Sequence, residues 1–370
     1  MAEPHDGRPL FEHYPGLRPG LPLVRLAELP TPVRRLSKIE ARTYVAELWL
    51  KDDGPSSPFY GGNKVRKLEL LLAAARAAQA RTVMTFGYAG SNHATATAVH
   101  ASRLGMRSLS MLLPQLNAAY LRNNLLVSAA VGAEVREYSS KLALYLGSAW
   151  TLWQLKRREG KSPFVVPPGG SSPLGTVGFV NAAFELADQI EEGLLPLPKR
   201  IYVAAGSLGT AVGLGIGLAA LRLDSKIVAV RVVDSKYVSA SKAKSLWTKT
   251  VALLKKADPS FPDVGHAVER LEIRDEFFGG CYARPTAEST EARRLASRLE
   301  GLDLDVTYTS KALACVLADA REGKTKGGPV LFWNTCNSSD LTDLAAEAQP
   351  VDLPRRLQRY FELDESFTET

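Results

Sequence analysis

In the stretch Tyr60-Gly61-Gly62-Asn63-Lys64-Val65-Arg66-Lys67, a lysine follows two glycines and an asparagine where an Ala- and Leu-rich helical pattern begins. The pattern predicts a helix from about Lys64 to Ala80, with Asn63 at its cap and Val65, Leu68, Leu71 and Leu72 on its inner side. A lysine in a first helical turn meets the positive end of the helix dipole, which disfavours its ammonium and favours the neutral amine. A neutral amine is what condensation with an aldehyde requires. An ordinary exposed lysine at a helix start would carry the same residues, so the rest of the chain has to decide.

At 370 residues the chain is long enough for two domains around a shared core. Its 45% hydrophobic and 23% charged residues are those of a globular protein. A net charge of +7 and a pI near 9.2 raise the question of nucleic acid. The basic residues are interleaved with acids and form no Lys/Arg tract, so no nucleic-acid partner is expected, only a surface tilted toward anionic ligands. Cys281, Cys315 and Cys336 are odd in number and lack CxxC spacing, which argues against a disulfide framework or a zinc site. No apolar run reaches membrane-spanning length, and Met1-Ala2-Glu3-Pro4-His5 lacks the charged-then-apolar form of a leader. A cytoplasmic protein with no membrane association is expected.

Residues 1–35, rich in Pro and Gly, read as an extended surface arm. A strand-like run, Thr43 to Leu50, leads into the polar loop Lys51-Asp52-Asp53-Gly54. Short apolar runs then alternate with helical patterns. Strands are expected at Arg81–Phe86, Arg107–Leu113, Ala133–Tyr138, Phe164–Val166, Arg200–Ala205, Lys226–Val233 and Pro329–Trp333. Helices fall between them, at Ser91–Leu104, Ala118–Val131, Leu142–Arg158, Thr176–Glu192, Thr210–Leu221, Ser289–Glu300 and Lys311–Arg321. This alternation defines an α/β protein with mostly parallel sheets. A smaller αβ unit, residues 76–170, is expected to be inserted into a larger one made of 1–75 and 171–370.

Two loops sit where open α/β sheets collect ligands, after a strand and before a helix. Thr85-Phe86-Gly87-Tyr88-Ala89-Gly90-Ser91-Asn92-His93 places a hydroxyl and an amide at a helix N-terminus that favours anions, although Ser91 could simply cap. Val203-Ala204-Ala205-Gly206-Ser207-Leu208-Gly209-Thr210 can cradle one phosphate on consecutive backbone N–H groups. It fits neither a Walker loop nor GxGxxG in register. Gly213, Gly215 and Gly217, further on, read as close helix packing. An aldehyde-trapping lysine, a monophosphate cradle and a polar helix end together fit pyridoxal 5′-phosphate.

Gly61-Gly62-Asn63-Lys64-Val65-Arg66-Lys67-Leu68-Glu69 resembles the lysine motif of the 1-aminocyclopropane-1-carboxylate (ACC) deaminase and D-cysteine desulfhydrase family. Ser91-Asn92-His93, Pro173-Leu174-Gly175 with Gly178-Phe179, and the Gly206–Thr210 loop follow at that family's spacing. Pro30-Thr31-Pro32 and Lys51-Asp52-Asp53 also look like family features, so the resemblance runs from about residue 25 to 340. It implies fold type II, as in the tryptophan synthase β subunit: two open, twisted, mostly parallel sheets flanked by helices, commonly as a homodimer. It implies Lys64 as the Schiff-base lysine, Asn92 beside the phenolic oxygen of the cofactor and Ser91 on the substrate side. Gly206, Ser207, Leu208, Gly209 and Thr210 would hold the phosphate. Asp305-Val306-Thr307-Tyr308-Thr309-Ser310-Lys311 resembles the family's Asp-Pro-Val-Tyr-x-Gly-Lys, which would put Tyr308 against the pyridine ring and Thr309 near its nitrogen. Tyr282 matches a tyrosine near the substrate.

One departure bears on chemistry. The family's glycine-containing turn after the last strand is replaced by Trp333-Asn334-Thr335-Cys336-Asn337, which changes the backbone conformations open to the pocket floor. Thr309 and Thr335 stand where the deaminase branch carries glutamate and leucine. Two hydroxyls favour a neutral pyridine, a weaker electron sink, and so elimination of a good leaving group such as thiolate. The expected activity is D-cysteine desulfhydrase-like β-elimination from a small amino acid, with Lys64 as general base and Ser91, Tyr282 and Tyr308 as the other catalytic candidates. The alternatives are ACC deamination and a catalytically quiet cofactor-binding protein.

Overall fold

The computed structural model describes residues 8–362; the chain start read above for a leader lies outside them. Among the described residues ten strands run in chain order: β1 Val33–Arg35, β2 Leu48–Asp52, β3 Thr82–Tyr88, β4 Arg107–Leu113, β5 Glu134–Glu137, β6 Phe164–Val166, β7 Arg200–Ala205, β8 Lys226–Arg231, β9 Leu271–Arg274 and β10 Val330–Asn334. They form a six-stranded sheet of order β1-β2-β10-β7-β8-β9 and a four-stranded sheet of order β5-β4-β3-β6. Every pairing is parallel except that of β1 with β2. Helices cross over between the parallel strands, as that geometry demands, and the molecule is an α/β protein of fold type II. The four-stranded sheet is drawn wholly from residues 82–166.

The strands at the centre of the larger sheet are apolar on both faces. Ile201 to Ala205 of β7 are buried, as are the five residues of β10. The Gly209–Ala220 helix is buried almost all round, which its small residues permit. A Cβ at Gly213 would lie 2.5 Å from Phe179, one at Gly217 2.5 Å from Ala183, and one at Gly215 2.6 Å from Trp247. These glycines let the helix press against Pro173–Glu191 on one side and Ala240–Ala257 on another, the close packing expected of them.

Two local expectations are corrected and one unassigned helix appears. From residue 8 onward the N-terminal arm is not simply extended over the surface: Leu10–His13 and Leu17–Gly20 are single helical turns whose Leu10, Phe11 and Leu17 enter the main core. The second strand starts at Leu48 rather than Thr43 and runs through Lys51 and Asp52, read as loop. Lys51 and Asp53 are fully buried, because each meets an opposite charge there. Finally, Ala240–Ala257 is a helix that composition left unassigned, with Ala243, Trp247, Val251 and Leu254 facing inward at helical spacing.

Candidate active site

Lys64 opens the Lys64–Ala77 helix as expected, but Asn63 does not cap it. Asn63 has helical φ/ψ, and its amide instead bonds the Thr210 hydroxyl (3.0 Å) and accepts from Lys64 Nζ (2.8 Å). The approach to Lys64 is fixed by Gly62, whose φ of +78° suits glycine and whose added Cβ would sit 2.8 Å from the Thr335 carbonyl. The loop docks on the turn after β10 through Asn63 N–H to Thr335 O (3.3 Å) and Gly61 N–H to Asn337 Oδ1 (2.6 Å). Asn334 ties the same turn down, accepting from Cys336 N–H (3.2 Å) and donating to Asp52 (2.8 Å). Asparagine side chains thus close the pocket floor where the family has glycines.

Behind the helix lies a buried ionic cluster. Arg66 donates to Asp53 Oδ1 (2.8 Å) and to both carboxylate oxygens of Glu185 (2.8 and 2.9 Å), and Lys51 bonds Glu185 (2.5 Å). Trp333 Nε1 donates to Asp53 (2.8 Å). The cluster joins β2, β10 and the helices Lys64–Ala77 and Pro173–Glu191, and so sets where the first turn of the lysine helix points.

In front lies a cavity of about 280 Å³ at the carboxyl ends of the strands, between the two sheets. Lys64, Ser91, Gly206, Ser207, Leu208, Thr210, Tyr282, Tyr308 and Thr335 all line it, so most of the expected site residues meet. A small recess beside it is lined by Tyr60, Lys64, Asn92, Asp305, Tyr308, Thr335 and Asn337. Burial lowers the Lys64 ammonium to about 8, against the opposing pull of Asp305 and Cys336. The amine stands 5.7 Å from the centre of the Tyr308 ring. Desolvation is what favours its neutral form.

Leu208 adopts a left-handed φ of +64° at the mouth of the Gly209–Ala220 helix, turning the Gly206–Thr210 loop into a cup over amides that have no intrahelical acceptor. A Cβ at Gly209 would fall 2.4 Å from Ser171 Oγ and 2.9 Å from Lys67 Nζ, and one at Gly206 3.0 Å from Tyr308. The cup therefore combines backbone donors, the Ser207 and Thr210 hydroxyls and a lysine, a donor set that suits a phosphate monoester. Lys67 was missed in the sequence, although it stands three residues from Lys64 on the same helix face. It bonds the Gly169 carbonyl and Ser171 Oγ (both 3.2 Å), and burial together with nearby Lys64 pulls its pKa well down.

Asn92 begins the Asn92–Arg103 helix and Ser91 caps it, accepting from Ala94 N–H (3.3 Å). Tyr60 OH (3.2 Å) and Asn124 Nδ2 (2.7 Å) both donate to Asn92 Oδ1. With the oxygen so engaged, the Asn92 amide nitrogen is the donor left for a phenolate oxygen in the recess. Tyr60 and Asn124, which orient it, carried no sequence signal. Tyr282 and Tyr308 share a 2.6 Å hydroxyl contact, and Tyr282 stacks on Tyr88 at 4.3 Å between centroids. Burial raises both phenol pKa values, so both are neutral donors.

Among the expected residues, Gly209 and Thr309 do not line the cavity or its recess. Thr309 is fully buried, its hydroxyl donating to Asp305 Oδ2 (2.7 Å). Asp305 also accepts from the N–H groups of Thr307, Tyr308 and Thr309 (2.9, 2.6 and 3.1 Å), so its turn captures the threonine. Of the two threonines whose hydroxyls were expected beside the pyridine, Thr335 alone lines the cavity.

The fold and this donor set agree with the comparisons. Residues 24–335 match the family model described as "Pyridoxal-phosphate dependent enzyme". The "Putative 1-aminocyclopropane-1-carboxylate deaminase" of Pyrococcus horikoshii is 36% identical over 316 residues, 85% of this chain and 91% of that protein. A D-cysteine desulfhydrase of Salmonella newport is 33% identical, over 85% of this chain and 93% of its own length. The crystal structure of an ACC deaminase homologue superposes with a TM-score of 0.77 at 33% identity, covering 93% of this chain and 99% of that one. The chain belongs to the pyridoxal-phosphate dependent enzyme family. Pyridoxal phosphate is its cofactor, and the residues around Lys64 and the Gly206–Thr210 cup fit that group.

Proposed function

We propose that the chain catalyses β-elimination from D-cysteine, which with one water yields pyruvate, ammonia and hydrogen sulfide. What carries the reading is the wall of the main cavity, which offers three lysines, tyrosines and hydroxyls but no carboxylate. The carboxylate of the adjoining recess, Asp305, has both oxygens taken by three amides and the Thr309 hydroxyl. The chemistry the cofactor supplies when bound is withdrawal of electrons from the α-carbon, and a ring without an anionic partner at its nitrogen does this less strongly. Loss of thiolate, a good leaving group, asks less of it than opening a cyclopropane.

In this reading the neutral Lys64 amine takes the α-proton, as a base with pKa near the working pH should. Ser91 and the first amides of the Asn92–Arg103 helix face the substrate carboxylate. Tyr282 and Tyr308 hold neutral hydroxyls on the substrate side, and the Tyr88–Tyr282 stack limits water. Gly206 to Thr210 and Lys67 hold the phosphate, Asn92 the phenolic oxygen. Deamination of ACC is the second reading, favoured by the names of two of the similar proteins and by Ser91 and Tyr282 standing in one cavity. Turnover of D-cysteine and ACC side by side, read as sulfide and 2-oxobutanoate, decides between them. ACC turnover with no sulfide release refutes the elimination.

A further inference from the structure

Lys64 and the Gly206–Thr210 cup occupy only one part of the cavity. The remaining wall comes from the ends of β3 and β4, the start of the Lys141–Glu159 helix and the segment after β8, through Phe86, Leu113, Leu144, Val233 and Tyr237. Phe86 and Leu144 pack together on the core formed by Met84, Leu109, Met111 and Leu155, which makes this wall a firm apolar surface rather than a chance exposure. Lys141, whose Nζ lies 5.1 Å from the centre of the Tyr237 ring, is the charged residue of this part. The side chain of cysteine contributes a single sulfur atom and would leave this surface wet. Apolar pockets of this kind are filled by apolar ligand groups.

We infer that this outer lobe receives an apolar, aryl or branched-alkyl side chain, so that the preferred substrate is an S-substituted cysteine rather than cysteine itself. The inference rests on the elimination proposed above and narrows its substrate. The balance is the same: the α-proton passes to Lys64, the Cβ–S bond breaks with its electron pair leaving on sulfur, and water completes pyruvate and ammonia. The leaving group is an alkane- or arenethiolate, protonated to the thiol, in place of sulfide. Each methylene equivalent buried against this wall is worth roughly a fourfold gain in binding.

The test compares cysteine with S-phenylcysteine, each as both enantiomers, on the holoenzyme, with pyruvate and thiol measured. In parallel, calorimetry follows binding of 2-amino-4-phenylbutanoate, in which methylene replaces sulfur and no elimination occurs, against alanine. S-Phenylcysteine should exceed cysteine at least tenfold in kcat/KM, and the carbon analogue should bind at least tenfold tighter than alanine. Leu144→Asp, on a half-buried helix position, should cut the S-phenylcysteine to cysteine ratio at least tenfold, with Leu144→Ala lowering it less. Turnover of cysteine with S-phenylcysteine slower and the analogue no tighter than alanine overturns the lobe and leaves the elimination intact. Tight analogue binding lost in Leu144→Asp, with no elimination from either amino acid, supports the lobe and refutes the elimination.

Discussion

The Lys64–Ala77 helix carries cations on two faces, and the protein treats them in opposite ways. On the back, Arg66 is sealed from solvent but meets Asp53 and Glu185, which keep it charged, while Arg66 and Lys51 in turn hold Glu185 down to about 2. On the front, Lys64 and Lys67 face a cavity without a carboxylate; burial lowers Lys64 to about 8 and Lys67 well below the usual lysine value. Low dielectric acts on both faces, and the presence of a counter-charge decides the outcome. A paired cation is architecture. An unpaired one is a neutral amine, ready for an aldehyde or a proton, or a positive charge waiting for a phosphate.

The front face breaks first at Lys64. Lys64→Ala should lower turnover by at least about 10³-fold, or about 4 kcal/mol of barrier, and abolish the near-visible absorbance of the loaded protein. Its thermal stability should not fall, since the lost amine is half-buried and bonded to a side chain only at Asn63. A yellow, active variant would refute the assignment of this lysine.

The back face breaks at Glu185. Glu185→Gln leaves Arg66 and Lys51 sharing Asp53, and removal of one partner from a buried ionic cluster costs about 3–5 kcal/mol. The sign with pH follows from Glu185 being held at about 2 against an ordinary 4.5. Its contribution is fully present above pH 4.5 and is lost as pH falls toward 2. Urea midpoints of wild type and variant should therefore differ widely at pH 7 and converge below pH 3. Equal midpoints at pH 7 would mean the cluster does not hold the helix.

Lys67 sharpens the comparison, because phosphate binding should turn a front-face amine into a back-face one. Lys67→Met removes a charged hydrogen bond worth about 1.5–3 kcal/mol, so the cofactor should bind roughly 10- to 100-fold more weakly on reconstitution. Cofactor uptake by wild type should draw a proton onto Lys67, measured as a buffer-dependent heat in calorimetry, and the variant should lose that heat. Unchanged affinity in Lys67→Met would leave the cup to the backbone alone.

How much of this could be read from the residues depends on whether the information is local. The strands Arg107–Leu113, Phe164–Val166 and Arg200–Ala205 lie where their short apolar runs put them, since burial between helices requires such runs. Ser91, Asn92 and the Gly206–Thr210 loop could be read because a strand-to-helix junction is a local pattern that also marks a ligand site. Lys67 carried a usable signal in its spacing from Lys64. Tyr60 and Asn124 carried none, because they reach Asn92 from positions 32 residues away on either side. The place of Thr309 off the cavity wall carried no signal for a related reason: motif matching assigns a position, whereas the Asp305 carboxylate decides where that hydroxyl points. The buried Lys51 reads as loop because its partner Glu185 lies 134 residues away.

The smallest effect tests whether the front face depends on hydroxyls as well as amines. Tyr282 offers the Tyr88 stack through its ring and the 2.6 Å contact to Tyr308 through its oxygen. Tyr282→Phe keeps the first and removes the second, so kcat should fall about tenfold, near the value of one hydrogen bond, with cofactor affinity unchanged. Because burial raises both phenols, neither should ionise in the working range, and the wild-type rate should show no phenol titration between about pH 7 and 9. A Phe variant as fast as wild type would assign Tyr282 to packing. A tenfold slower one with intact stacking would place its proton in the reaction.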